Sequence, residues 1–564
     1  MDKEKYEQWL ALATEDLDVA QELRDIQNRP EEIHDRFYCD LAFGTGGMRG
    51  KLGAGSNRMN IYTVRRVTKG LADFLLQQSG SASVAIAYDS RRKSRIFALE
   101  TARVLSACGV TARIFERLMP TPMLSYAVRR LGCSAGVMIT ASHNPADYNG
   151  YKVYGADGCQ ITEKTAMEIT RFIERADPFA VFGGGSGKAD DSRIAFIPRS
   201  VEEEYYNEVL RQRICEPQVP LSIVYTPLNG TGYVPVTGVL ARAGFNDVTA
   251  VSTQKDPDPD FPTCPNPNPE LPEAFREGLW VSVERKADLL LATDPDCDRV
   301  GVAVRHQGEY KILSGNEVGA LLLEYICRIR LEAKTMSLHP VAIKTIVTSE
   351  LAEKIAAHYG VCLRNVLTGF KYIGEEIGQL EAKLETDRFI FGFEESCGYL
   401  SGAYVRDKDA VNACLLICDM AAWYKSRGYT LADGIGTLYR RYGYCISGLA
   451  SHEFGGESGA GIIRQYMQGL RDPGRTEFLG RAICGKTDYL GGASEAKQNG
   501  LPLADVVKYE LEDGTTLIFR PSGTEPKLKI YCTVNRKDET AYQVLDGYIK
   551  ELKAMLWDLP QCMT

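Results

Sequence analysis

A serine, a histidine and a lysine fall within one short excursion of the chain. Thr140-Ala141-Ser142-His143-Asn144-Pro145 is followed at once by Asn149-Gly150-Tyr151-Lys152. A hydroxyl with an imidazole and an ammonium beside it is the equipment of group transfer. A turn in which Ser and Asn bond their own backbone would use the same residues. A second segment, Asp294-Pro295-Asp296-Cys297-Asp298-Arg299, alternates three carboxylates. Residues two apart in an extended chain point the same way, so the three can converge on one hard cation. Magnesium suits such a set, because it takes few protein oxygens and completes its shell with water or phosphate oxygen. Calcium in an EF-hand is the rival, but the glycine and bidentate glutamate of that motif are missing at the required offsets. A solvated acidic turn is opposed by the apolar runs on both sides, and Arg299 could orient the carboxylates or reach a phosphate.

Two further loops carry polar groups. In Gly392-Phe393-Glu394-Glu395-Ser396-Cys397-Gly398, Glu394 accepts from neighbouring hydroxyls and Ser396 donates or accepts, which suits a polyol. Arg520-Pro521-Ser522-Gly523-Thr524-Glu525-Pro526-Lys527 offers a guanidinium fork, two hydroxyls and a glycine that lets backbone N–H groups turn inward on an anion. It lacks the spacing of a Walker loop, and a plain hairpin is its alternative.

These loops must be carried by rigid elements. Apolar spacing predicts a helix over Ile61 to Gln78, a strand over Ser83 to Ala87, a helix over Phe97 to Cys108 and a strand over Ala135 to Thr140, so Ser142 sits at a strand's exit. The pattern restarts at Leu221 to Tyr225 and at Val341 to Val347, the latter followed by a helix over Glu350 to His358. Alternating strands and helices imply α/β modules, whose ligands bind beyond the carboxyl ends of strands. Phe182 to Lys188 is glycine-rich and Asp256 to Pro269 proline-rich. Four domains are expected, over 1–206, 207–311, 312–440 and 441–564.

With 564 residues the chain exceeds what one core supports. A net charge of -8 gives no basic field for nucleic acid, so any phosphate site must be built locally. Met1 to Pro30 is acidic and charge-broken, unlike a signal peptide, and no apolar run approaches a membrane span. The 16 cysteines show no CxxC pair and read as reduced, mostly buried residues of a cytoplasmic protein.

In this order the loops resemble those of the α-D-phosphohexomutase family of phosphoglucomutases, phosphomannomutases and phosphopentomutases. The resemblance begins at Phe43-Gly44-Thr45-Gly46-Gly47-Met48-Arg49-Gly50 and ends near Tyr531. It implies four α/β domains around a central cleft, the first three with similar mixed sheets sandwiched by helices and the last a smaller α+β domain that swings to close the site. By the same resemblance Ser142 carries the phosphoryl group and joins Asp294, Asp296 and Asp298 around Mg2+. Arg49, His143 and Lys152 surround the transferring group, and Lys371, in Thr368-Gly369-Phe370-Lys371, belongs to one more active-site segment. Arg299, Glu394 and Ser396 would hold the sugar phosphate, and Arg520, Ser522, Gly523 and Thr524 its distal phosphate. The implied reaction interconverts sugar 1- and 6-phosphates, with glucose expected first and mannose or a pentose as alternatives, and glucose 1,6-bisphosphate as activator. A phosphatase would not need the distal cradle, and a non-catalytic binder would not need Ser142 beside three carboxylates. The expected partner is a small phosphosugar, with no nucleic acid or membrane, bound by a monomer or weak dimer. The acidic extension before Phe43 and an insertion-like stretch, Phe454 to Asn499, depart from the family pattern.

Overall fold

In the computed structural model, which describes residues 2–180, 189–216, 219–454, 459–490, 501–522 and 527–562, four sheets follow one another along the chain. The first runs in the order Gly47–Lys51, Tyr148–Gly155, Ala135–Ile139, Ser83–Tyr88, Thr111–Ile114, Ile194–Phe196. Its central strands Ser83–Tyr88 and Ala135–Ile139 are parallel and almost wholly buried, as continuous apolar runs between helical layers must be. Helix Ile61–Ser79 opens on a capping box at Asn60 and stops at Gly80, whose left-handed backbone suits glycine. The second sheet spans Ile223–Thr226 to Glu309–Leu313 and the third Val341–Thr345 to Gly398–Leu400.

The first three sheets share one device. A strand leaves the parallel part of the sheet, turns through a short loop and returns antiparallel beside itself. Ala135–Ile139 returns as Tyr148–Gly155, Leu289–Thr293 as Val300–His306 and Phe389–Glu394 as Gly398–Leu400. In each loop one non-glycine residue is left-handed: Ser142 at φ 52°, Cys297 at φ 52° and Cys397 at φ 64°. Such backbone costs on the order of 1–3 kcal/mol and persists only where its surroundings impose it.

The last sheet is antiparallel throughout, and its strands Thr516–Pro521 and Lys527–Arg536 form a hairpin around the predicted phosphate cradle. Gly523 and Thr524 lie outside the described residues, as do 181–188 and part of the insertion-like stretch. The described part of that stretch supplies helix Gly459–Arg471 and the strands Glu477–Phe478 and Arg481–Asp488, which extend the sheet at one edge. Glu350, before helix Leu351–Tyr359, pins this sheet to the third module, accepting from Thr516 Oγ1 at 3.0 Å and Asn535 Nδ2 at 2.7 Å.

The three boundaries expected from sequence each fall inside an element: helix Arg199–Arg211, strand Glu309–Leu313 and helix Leu431–Tyr442. Because Glu309–Leu313 pairs with Val300–His306, we propose that the second domain runs at least to Leu313.

Two segments brace the modules. The N-terminal helices bury Tyr6 and Trp9 against Phe37 and set Trp9 against Tyr62 of helix Ile61–Ser79, and buried Arg65 reaches Glu15 at 2.6 Å and Glu100 at 2.5 Å. The proline-rich segment lays Phe261 under Arg91, whose guanidinium is 5.0 Å from the ring centre, and sets the Pro269 carbonyl over Gly301, where an added Cβ would approach within 2.5 Å. Ten of the fifteen cysteines whose side chains are described are buried, and all fifteen are free thiols. Among the described residues no helix is long and apolar enough to cross a membrane.

Candidate active site

The Ser142 loop is wrapped around a guanidinium. Fully buried Arg91 donates to the carbonyls of Ser142 (2.6 Å), Pro145 (2.8 Å), Tyr148 (3.1 Å) and Asn144, with Asp89 3.4 Å from its Nε. Four carbonyls on one fixed donor hold the loop in its turned path. Ser142 Oγ donates to Asp294 Oδ2 at 2.9 Å and lies 3.1 Å from His143 Nδ1. Burial, reinforced by Arg299 and Arg49, holds the His143 imidazole well below its ordinary range. Arg49 donates to Asn144 Oδ1 at 2.8 Å.

Asp294, Asp296 and Asp298 are buried and present ligand oxygens within 4.8 Å of one another. Asp294 Oδ1 accepts from the backbone N–H of Asp298 (3.1 Å) and Arg299 (3.0 Å). Asp296 Oδ2 accepts from Lys152 Nζ (2.8 Å) and Thr121 Oγ1 (3.1 Å), and Asp298 Oδ2 lies 3.0 Å from Lys408 Nζ. Among the described residues Asp296 Oδ1 and Asp298 Oδ1 are buried yet accept no hydrogen bond. Two orphaned carboxylate oxygens beside a third carboxylate fit a hard divalent cation, so this group could hold a metal ion. Burial and the neighbouring Asp298 and Asp296 push the Asp294 carboxyl well up. Burial also pushes Asp296 up, but Lys152 and its other partners outweigh it and the net is down.

The other predicted residues take distinct places. Glu394 is buried and accepts from Ser396 Oγ at 3.2 Å. Glu395 Oε2 accepts from Thr345 and Thr348, and burial, then Glu394 and Glu270, push its carboxyl up to about 7. The Val300 N–H donates to the Cys397 carbonyl at 3.0 Å, tying the Glu394 loop to the aspartate loop. Arg299 lies beside Asp298 at 3.8 Å and donates to Glu270 at 2.7 Å. Lys371 bridges the first and third modules, donating to the Thr45 carbonyl at 3.1 Å and to Glu163 at 2.7 Å. Arg520 lies in the last sheet opposite Lys529, and the Ser522 N–H donates to the Lys527 carbonyl at 2.7 Å.

Sequence reasoning missed Lys408 and Asp407, 3.1 Å apart, with Tyr154 donating to Asp407 at 2.8 Å. It also missed Asp89, Arg91, Thr121, Glu270 and Lys529. The alternating charges of Arg406-Asp407-Lys408-Asp409, all buried, were a usable signal, as was Asp89-Ser90-Arg91 one residue beyond the strand expected over Ser83 to Ala87.

Three family profiles match the chain: phosphoglucomutase/phosphomannomutase alpha/beta/alpha domain I over residues 40–179, domain II over 203–308 and domain III over 314–442. A phosphoglucomutase of Staphylococcus aureus (strain MSSA476) is 36% identical over 567 residues, covering 99% of each chain. One of Staphylococcus haemolyticus (strain JCSC1435) is 36% identical over 507 residues, covering 88% of this chain and 91% of its own. In fold, the chain is similar to the open form of pp63/parafusin, a phosphoglucomutase from Paramecium, with a TM-score of 0.67 at 17% identity over 93% of this chain and 96% of that one.

Proposed function

Because this chain belongs to the phosphoglucomutase/phosphomannomutase family and is a phosphosugar mutase, an isomerase that moves a phosphoryl group within one sugar, we propose that its preferred pair is glucose 1-phosphate and glucose 6-phosphate. The observation that carries this reading is the Ser142 hydroxyl, fixed 2.9 Å from an aspartate trio, in one site with the carboxylate and hydroxyl of Glu394 and Ser396. Relatives over the full length are named phosphoglucomutases, which supports the choice of sugar.

In the proposed cycle Ser142 carries a phosphoryl group. The P–O bond to serine breaks as one forms to the free hydroxyl of the sugar monophosphate, whose proton is taken by a base and passed to the departing Ser142 oxygen, giving glucose 1,6-bisphosphate. The bisphosphate turns over and returns its other phosphoryl group to Ser142. A magnesium ion held by Asp294, Asp296, Asp298 and the Ser142 side chain would neutralise charge spread over the transferring oxygens. Lys152 and Arg49 add fixed positive charge around the same position, where preorganised cations act most strongly. Lys152 and His143, the latter 3.1 Å from Ser142 Oγ, are the two candidates for the base that handles the hydroxyl proton. Glu394 and Ser396 grip adjacent ring hydroxyls in both orientations, while Arg299 and the Arg520 loop hold the phosphate that is not reacting. Free, mostly buried thiols support a reducing compartment, and we place the protein in the cytoplasm.

Coupled assays of the purified chain with glucose, mannose and ribose 1-phosphates, each with bisphosphate present, test the reading. The highest kcat/KM is expected for glucose 1-phosphate, with phosphate recovered on the Ser142 peptide. A higher value for ribose 1-phosphate would make the chain a phosphopentomutase, and label on another residue would overturn the mechanism.

A further inference from the structure

We propose that Glu270 is a specificity-determining residue of the cleft, a built-in competitor whose carboxylate holds the Nη1 arm of the Arg299 guanidinium and must give way before a substrate phosphate can engage the whole fork. The proposal rests on the reading of Arg299 as a phosphate contact. Arg299 Nη1 donates to Glu270 Oε1 at 2.7 Å, and the pair is partly shielded, with side chains 17% and 30% exposed. Glu270 is held firmly. Its N–H donates to Asn268 Oδ1 at 3.0 Å, the Leu271 N–H donates to the Asn268 carbonyl at 3.0 Å, and the preceding Pro269 closes over Gly301 of the strand that leaves the aspartate loop. The contact between Val300 and Cys397 sets Arg299 at the seam between the aspartate loop and the Glu394 loop.

The field of Glu270 reaches the same seam from the other side. It adds to the burial that raises Glu395, and it opposes the burial that lowers Lys529, the neighbour of Arg520 across the hairpin. A fixed carboxylate therefore faces the cations offered to the non-reacting phosphate. Every ligand of the reaction is an anion, and the bisphosphate is the most highly charged. A binding form that must first be released lowers apparent affinity by the fraction released. Glu270 thus keeps the bisphosphate from becoming a trap in a cleft this rich in cations.

The test uses the full-length chain in the Ser142→Ala background with magnesium, so that no group is transferred, and titrates glucose 1,6-bisphosphate by calorimetry. Adding Glu270→Gln is expected to tighten binding about five- to tenfold, and inorganic phosphate to a smaller extent. Equal or weaker binding overturns the proposal, since a merely structural role for Glu270 predicts weakening. Should Glu270→Gln fail to fold, Glu270→Asp, which keeps the charge but loosens the pair, is expected to tighten binding about two- to threefold, and no change there also overturns it. If Ser142→Ala alone bound no bisphosphate at millimolar concentration, the reading of the cleft itself would fall first, a result distinct from an unchanged Glu270 variant.

Discussion

At the scale of single residues, Lys408 carries an unusual share of the charge balance. Its ammonium lies 3.0 Å from Asp298 and 3.1 Å from Asp407, with all three side chains buried. Removing one partner of a buried pair leaves an uncompensated charge and typically costs about 3–5 kcal/mol. Lys408→Met is therefore expected to lower Tm by several degrees. Magnesium should restore part of the loss, because a cation at the aspartate trio replaces the missing charge. Thermal unfolding with and without the metal measures both effects. Glu395 gives a pH test of opposite character. Its folded carboxyl titrates near 7 against about 4.3 for an ordinary glutamate, so the folded chain keeps a proton that the unfolded chain has released. That contribution is full below the ordinary value and is lost as pH rises towards 7. Relative to Glu395→Gln, the parent should lose Tm between pH 5 and pH 8, and parallel Tm curves would contradict the assignment.

Among elements, the hairpin recurs at the Ser142, Asp294, Glu394 and Arg520 loops. For the Arg520 loop, sequence reasoning set a plain hairpin against a phosphate cradle, but the two are not alternatives: all four loops join antiparallel strands. Loops and flanking strands were legible because apolar runs broken by proline, glycine and charge mark them locally. What holds each loop was not legible. Arg91 is 51 residues from Ser142, and Ser142 is 152 from Asp294, distances over which no local periodicity operates. Lys371 was singled out by the family resemblance alone, and its bridge to Thr45 and Glu163 depends on packing between modules. Arg91→Lys keeps the charge but loses the fork that reaches four carbonyls. A displaced loop should lower kcat about 10–100-fold with little change in KM, since an ångström of misplacement near the chemistry is worth about that much. Steady-state kinetics on both substrate isomers decide the point, and an unchanged kcat would show that the loop holds its shape without the guanidinium.

For the whole molecule, the modules should respond together to metal. Magnesium at about 100 times its Kd should add about 2.7 kcal/mol of stability, and Asp294→Asn should reduce that gain even where it leaves the apo protein folded. Glu350 acts at greater range. Among the described residues it makes no hydrogen bond to the loops assigned to the sugar phosphate, yet it fixes the last sheet at Thr516 and Asn535. Glu350→Ala is expected to raise KM for both isomers while leaving Ser142 able to accept phosphate, which steady-state kinetics and peptide mass analysis can separate. Thr516 and Arg520 are four residues apart on one strand, so about 13 Å of stiff sheet lies between pin and guanidinium. The strand is a crank. A turn of about ten degrees at the Glu350 end sweeps Arg520 through roughly 2 Å, the difference between a formed and a broken hydrogen bond. On the proposed reading, grip on the distant phosphate is then a matter of gearing, and the carboxylate of Glu350 sets the stroke.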